Sequence, residues 1–294
     1  MLPFNCVLPP FGILMQRLDS EEYIEQAHLF HGLHNRVHAS DPVQGLLKQM
    51  RYEVLATTKL PMAIDYLAAE LSQTGMMSTA MRRMAHYFEP FQTFLIASAE
   101  DDMGRFDMMR ALLILEHEAR FRSTGASANA MFFFQFETLC QNRLDYDSGL
   151  AAMAADGVYS EDWQKWILMV RHKIGLVQLG DLVYVHSQHY VDRQKQQNGE
   201  LTLPDPVLFG DREGRIALAN RSHEPQYLFS ALQRQMGYPA IPKPKPKDSA
   251  EFVLPNLVRT VERLETRIKL LEDENREKGI DLSKFMKNRP PTGN

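Results

Sequence analysis

Four of the chain's ten histidines, His28, His31, His34 and His38, fall within eleven residues. On a helix, at about 100° per residue, they share one arc of about 120°, while Leu29, Phe30, Leu33 and Val37 lie roughly opposite. Neutral imidazoles at these spacings could share a transition metal, and His31, His34 and His38 are the most compact set. The same stripe could gather positive charge on acidification, or it could be an ordinary surface or interface face.

Carboxylate-bridged di-iron chemistry in a helical bundle needs glutamates on facing helices and, typically, two Glu-x-x-His units. Glu25-Gln-Ala-His28 is one such unit, and Glu116, Glu118 and Glu137 could add ligands, but the second unit is missing. Glu118, four residues before Arg122, reads more simply as half of a helical ion pair. His186-Ser-Gln-His189, beside Tyr184 and Tyr190, could form a metal pair or an acid/base site, with no third ligand assignable nearby. Cys140 sits on an apolar segment and reads as a small packed residue, not a nucleophile. No phosphate-cradling glycine motif, zinc-ribbon cysteine pair or serine-hydrolase elbow is present.

The elements that must position these groups are mainly helical. Ser20 before Glu21 and Glu22 reads as an N-cap with acids in the first turn. Asp41-Pro42 starts a second helix with the stripe Val43, Leu46, Leu47, Met50 and Val54, and Met62, Ile64, Leu67 and Leu71 mark a third that ends before Gly75. Ser78 opens a fourth, which Pro90 should kink or break. Phe106 to Leu113 define another, closed by Gly125. Ala128 to Arg143 follows, with Phe132, Phe133, Phe134 and Phe136 apolar on more than one face, as suits the centre of a bundle.

Residues 76 to 136 hold 8 of the 16 methionines and 9 of the 16 phenylalanines. Such residues pack as a core or line an adaptable apolar pocket. Ser160 caps a segment with Trp163, Trp166, Ile167 and Val170 in helical phase. Residues 176–191 fit helix or strand, and helix is the expectation. Val207 to Phe209, a Gly210-to-Gly214 turn and Arg215 to Ala219 suggest a β-hairpin. Glu224-Pro225 then opens a helix that stops at Gly237.

Pro-Ala-Ile-Pro-Lys-Pro-Lys-Pro-Lys at 239–247 reads as an extended, solvated spacer. Beyond it, Leu254, Leu257, Val261, Leu264, Ile268, Leu271 and Asn275 alternate in steps of three and four. β-Branched residues at interior a positions with leucine at d favour a parallel two-stranded coiled coil, and Asn275 at an a position sets register and strand number. Arg267 at g can pair with Glu272 at the following e. Dimerisation is therefore expected through Leu257, Val261, Leu264, Ile268, Leu271 and Asn275, with a protein partner or docking on the chain's own body as alternatives.

The whole chain of 294 residues, 44% hydrophobic and 24% charged, is that of an ordinary globular protein. Its net charge of -4 divides unevenly: residues 1–238 hold 21 Lys/Arg and 28 Asp/Glu, net -7, and residues 239–294 hold 12 and 9, net +3. An acidic body argues against general nucleic-acid binding. No run of about 18 apolar residues suggests a membrane span. The uncharged start contains Pro3, Pro9 and Pro10 and makes a poor signal peptide. Two cysteines, Cys6 and Cys140, suit a reducing compartment, so a cytoplasmic location is the default.

The expected fold is mainly α: a multi-helix bundle body with a small β-hairpin element, a Pro/Lys-rich spacer and a C-terminal coiled-coil helix. Its parts are an apolar extension (1–19), a helical body (20–238), the linker (239–250), the coiled-coil helix (251–279) and a polar tail (280–294). The functional expectation is a non-catalytic scaffold or adaptor that associates through the C-terminal helix, with no cofactor favoured. Its alternatives are a metal-dependent helical enzyme using the first-helix histidines and an apolar small-molecule binder using the Met/Phe-rich bundle.

Overall fold

The computed structural model describes residues 17–37, 43–101, 106–197, 206–221 and 223–243. Among them the chain forms thirteen helices and no strand: α1 (Ser20–Arg36), α2 (Val43–Met50), α3 (Leu60–Thr74), α4 (Met77–Arg83), α5 (Pro90–Glu100), α6 (Met108–Ser123), α7 (Ala128–Asn142), α8 (Tyr146–Ala154), α9 (Glu161–Lys173), α10 (Leu179–Val185), α11 (Gln188–Gln197), α12 (Asp211–Ala219) and α13 (Pro225–Met236). None is long and apolar enough to cross a membrane. His38, Asp41-Pro42 and the whole heptad segment lie outside the described residues.

Local signals place most boundaries. Pro90 and Pro225 occupy the first positions of α5 and α13, where a missing N–H is harmless. Gly75 and Gly237 close α3 and α13 at φ 71° and 69°, a conformation glycine adopts without a Cβ penalty. Asp107, Ser127 and Asp145 cap α6, α7 and α8 by accepting from the backbone amides of Arg110, Ala130 and Ser148. Ser20 is not the cap of α1. That position belongs to Asp19, and the Ser20 hydroxyl donates to the Ser123 carbonyl at 2.7 Å, tying α1 to the end of α6.

The core centres on α7. Phe132, Phe133 and Phe134 have no exposed surface, and the Phe132 ring meets Trp166 edge-on with centroids 5.0 Å apart and stacks on Phe136 at 5.6 Å. Each such pair adds about 0.5–1.5 kcal/mol beyond area burial. Met77, Met81, Met84, Phe88 and Phe91 are buried in the same continuous core, so these members of the Met/Phe-rich segment pack against neighbours. Met62 departs from its expected stripe and is 72% exposed, because it lies about 200° around the helix from Ile64.

The polar side chains on the buried face of α1 hold neighbouring loops. Glu22 accepts from the Lys59 amide and Glu25 from the Leu55 amide, each at 2.8 Å, and Gln26 donates to the Tyr87 carbonyl at 3.1 Å. Buried acceptors of this kind satisfy backbone amides that would otherwise lose water without replacement.

Of residues 176–191, 179–185 and 188–191 are helical, in α10 and α11 with a break at His186-Ser187, while 176–178 form a turn before α10. The expected β-hairpin is not formed. Val207 to Phe209 does run extended, but it bonds to the α10/α11 break: the Leu208 amide donates to the His186 carbonyl and Gln188 donates to Phe209, both at 2.9 Å. The segment expected as the turn and second strand is α12. Asp211 and Glu213 sit in its first turn, where the helix dipole favours them, and Arg215 pairs with Asp211 one turn on. Gly214 lets α12 approach α11, since a Cβ there would meet the Ser187 Oγ at 2.3 Å.

The packed body continues past residue 238 into the proline-rich segment. Tyr238 and Ile241 are 3% and 6% exposed. The Tyr238 hydroxyl donates to Glu137 Oε2 at 2.8 Å, and the Ala240 carbonyl lies 3.2 Å from the His117 Nδ1.

Two glycine substitutions should therefore move stability in opposite directions, although both remove a helical glycine. Gly45→Ala, with nothing near its new Cβ, should raise stability by about 0.5–1 kcal/mol. Gly214→Ala should lower it by about 1–3 kcal/mol through overpacking. Denaturant unfolding of each variant measures both.

Candidate functional site

Helix α6 presents two charged pairs on opposite faces. Glu116 and Arg120 are one turn apart, as are Glu118 and Arg122, and about 200° separates Glu116 from Glu118. The first pair faces outward beside α1, and the second faces the interior.

On the outer face, Glu116 is a nearly buried carboxylate with both oxygens engaged. Its Oε2 lies 3.1 Å from His31 Nδ1, and its Oε1 accepts from Arg120 at 2.8 Å. The Asn35 side-chain amide is 2.8 Å from His31 Nε2. That contact, with a carboxylate on Nδ1, fits the tautomer carrying its proton on Nδ1. His31 and Arg120 thereby flank an open depression of about 220 Å³, lined also by Ile24, Ala27, His28 and Ser123.

The other histidines of the stripe face other anchors. His34 Nδ1 lies 2.9 Å from the Met109 carbonyl, and His28 Nε2 lies 4.0 Å from Glu53, which also takes a two-pronged contact from Arg36. Of the suggested metal set, His31 and His34 are thus engaged on separate partners, and His38 lies outside the described residues. Among the described residues no group of three His, Cys, Asp or Glu side chains is placed to hold a metal ion. The glutamates considered for a di-iron centre are likewise dispersed: Glu25 holds a loop amide, Glu116 holds His31, Glu118 meets Arg122 and Glu137 meets Tyr238.

The later histidine pair also divides. His186 Nδ1 lies 2.9 Å from the Pro206 carbonyl, and burial lowers its pKa. His189 Nδ1 lies 2.9 Å from Asp211, whose own pKa falls chiefly through that bond. Burial pushes the Cys140 thiol up to about 11, which leaves little thiolate at neutral pH and supports its reading as a packed residue.

The inner face of α6 carries the most heavily invested polar group in the described structure. The Arg122 side chain is 1% exposed. It donates to Glu118 at 2.8 Å and to Asp156 through both terminal nitrogens, one contact being 3.1 Å, while Glu89 stands 4.0 Å away. The Gln135 amide donates to Glu118 and Asp156 at 2.9 and 3.0 Å, and the Tyr159 hydroxyl fixes Gln135 from behind at 2.7 Å. The Glu118–Arg122 pair was legible from its spacing. Asp156, Glu89, Gln135 and Tyr159 were not, because they come from other helices and turns and share no local pattern with it.

Replacing Arg122 with methionine should strand three buried carboxylates and lower stability by about 3–5 kcal/mol. Arg120→Ala removes a 65% exposed guanidinium and leaves the nearly buried Glu116 still paired with His31, so it should cost less, about 1 kcal/mol. Urea unfolding distinguishes the two. The chain matches no known family model, no curated protein and no solved structure.

Proposed function

We propose that this protein is a helical scaffold or adaptor whose body is held in dimers by the C-terminal heptad segment. The observation that carries the reading is the run Leu254, Leu257, Val261, Leu264, Ile268, Leu271 and Asn275, with β-branched residues at interior a positions, leucine at d and a register-setting asparagine. Two features of the body support it. The apolar core reaches its last described member at Ile241, before the first heptad position. The histidines and glutamates best suited to chemistry serve as separate internal ties, His31 to Glu116, His34 to Met109 and Glu25 to Leu55. That use favours a body whose polar side chains tie its helices and loops together over a metal-dependent enzyme built on α1.

A heptad helix this short associates weakly by itself, so the body must add contact area or the dimer must dissociate at low concentration. Light scattering across a dilution series should give twice the chain mass for the intact protein at high concentration. Leu264→Lys with Leu271→Lys, or truncation after Lys243, should return the mass to that of one chain with the body's melting transition retained. Truncation at Gly237 would be a poor test, since it removes the buried Tyr238 and Ile241. A monomeric mass for the intact chain at every concentration would defeat the proposal.

A further inference from the structure

Three carboxylates surround one guanidinium in a site without solvent: Glu118 and Asp156 are 0% exposed, Arg122 is 3% and Glu89 is 5%. Asp156 takes the bidentate side of Arg122 and also accepts from the Val158 amide at 3.1 Å. That pair balances the one positive charge, which leaves Glu118 and Glu89 with no further cation facing them among the described residues. The groups around Glu89 are Tyr23 from α1, Arg122 and Glu118 from α6, and Asp156 from the turn after α8. Tyr159 and Gln135, the cluster's other members, are neutral, as is Gln92 in its own capping box. The next buried carboxylate, Glu22, is already held by Tyr87 and the Lys59 amide.

Two buried carboxylates in excess of their counter-charge are costly when ionised, and binding a proton removes that cost. At Glu118 the hydrogen bonding agrees. Glu118 Oε2 and Arg122 Nε have no partner among the described residues, so a charged Glu118 would be left partly unsolvated. Among the described residues Glu89 accepts only from neutral donors at close range, the Tyr23 hydroxyl at 3.3 Å, the Gly157 amide at 3.2 Å and the Gln92 amide of its capping box. Through these contacts it joins α1, the start of α5 and the turn after α8.

We propose that the Glu89/Glu118/Asp156/Arg122 cluster is a proton-operated latch: a proton held on Glu89 or Glu118 keeps α1, α5 and the 155–159 turn together, and its loss loosens them. Burial, then the neighbouring Asp156 charge, pushes Glu89 up to about 7 against the pull of Arg122, and burial also raises Glu118. A carboxylate whose pKa is higher folded than unfolded binds more protons in the folded state. Its contribution is therefore greatest at low pH and is lost as pH rises from its unfolded value of 4.5 through about 7.

The test is thermal unfolding of the full-length protein from about pH 5 to about pH 8.5 at constant ionic strength. The wild type should lose about 5 °C or more of Tm across that range. Glu89→Gln and Glu118→Gln imitate the protonated form, and at least one of them should cut the loss to less than half. Infrared titration of the wild type needs no variant to fold: a protonated-carboxyl band should be present at mildly acidic pH and vanish near neutrality. Amide protection at Gly157 and Gln92, with the intrinsic rise of exchange with pH divided out, should fall over the same range. A wild-type Tm that is flat or rises with pH, the full wild-type slope in both variants, or the absence of that band would overturn the proposal.

Discussion

A guanidinium without access to water needs acceptors, and Arg122 holds its place, with both terminal nitrogens paired, only where several distant segments converge on α6. Asp156 comes from the turn after α8, Gln135 from the central helix α7 and Glu89 from the start of α5, with Tyr23 of α1 closing the side beneath Glu89. Apolar packing around α7 supplies most of the driving force for folding, but it is non-directional. The hydrogen bonds of the cluster around Arg122, those of Asp156, Gln135 and Glu89 included, are directional, so they restrict how α1, α5, α7 and the 155–159 turn can be arranged around α6. Breaking such a network leaves uncompensated charge, which makes the native arrangement of these helices hard to substitute with a near alternative.

The outer face of α6 uses the same residue types with a different consequence. Glu116, itself nearly buried, holds the half-exposed His31 and the exposed Arg120 at the solvent boundary, where the imidazole stays accessible. Two turns of one helix thus carry a Glu/Arg pair whose guanidinium reaches solvent and one that is wholly buried, both at the spacing of one helical turn. What separates them is the opposing surface: α1 histidines and open solvent on one side, and α5, α7 and the turn after α8 on the other.

How far residues could be placed from sequence depended on whether their partners were local. Pro90, Pro225, Gly75 and Gly237 marked helix ends because each acts through its own backbone. The aromatic run on α7 announced a buried helix, since no single face could hold it. The 207–219 segment was misread as a hairpin because Gly210 and Gly214 resemble turn residues. Their actual roles, an extended N-cap and a close approach to Ser187, depend on α11 lying alongside. His28, His31 and His34 do share one face of α1. Their use as separate ties to Glu116, Met109 and Glu53 required knowing which elements lie against that face.

The sequence by itself determined the helical class, most helix ends, the aromatic centre and the heptad pattern after the proline-rich segment, because propensity, capping and periodicity are properties of neighbouring residues. Tertiary structure alone decided that Glu25 would anchor a loop, that Glu118 would lose its solvent while Glu116 kept a partner in water, and that Asp156, 34 residues from Arg122, would become its principal counter-charge. Charge burial depends on what packs against a side chain, and helical spacing places a residue on a face without saying what that face will meet.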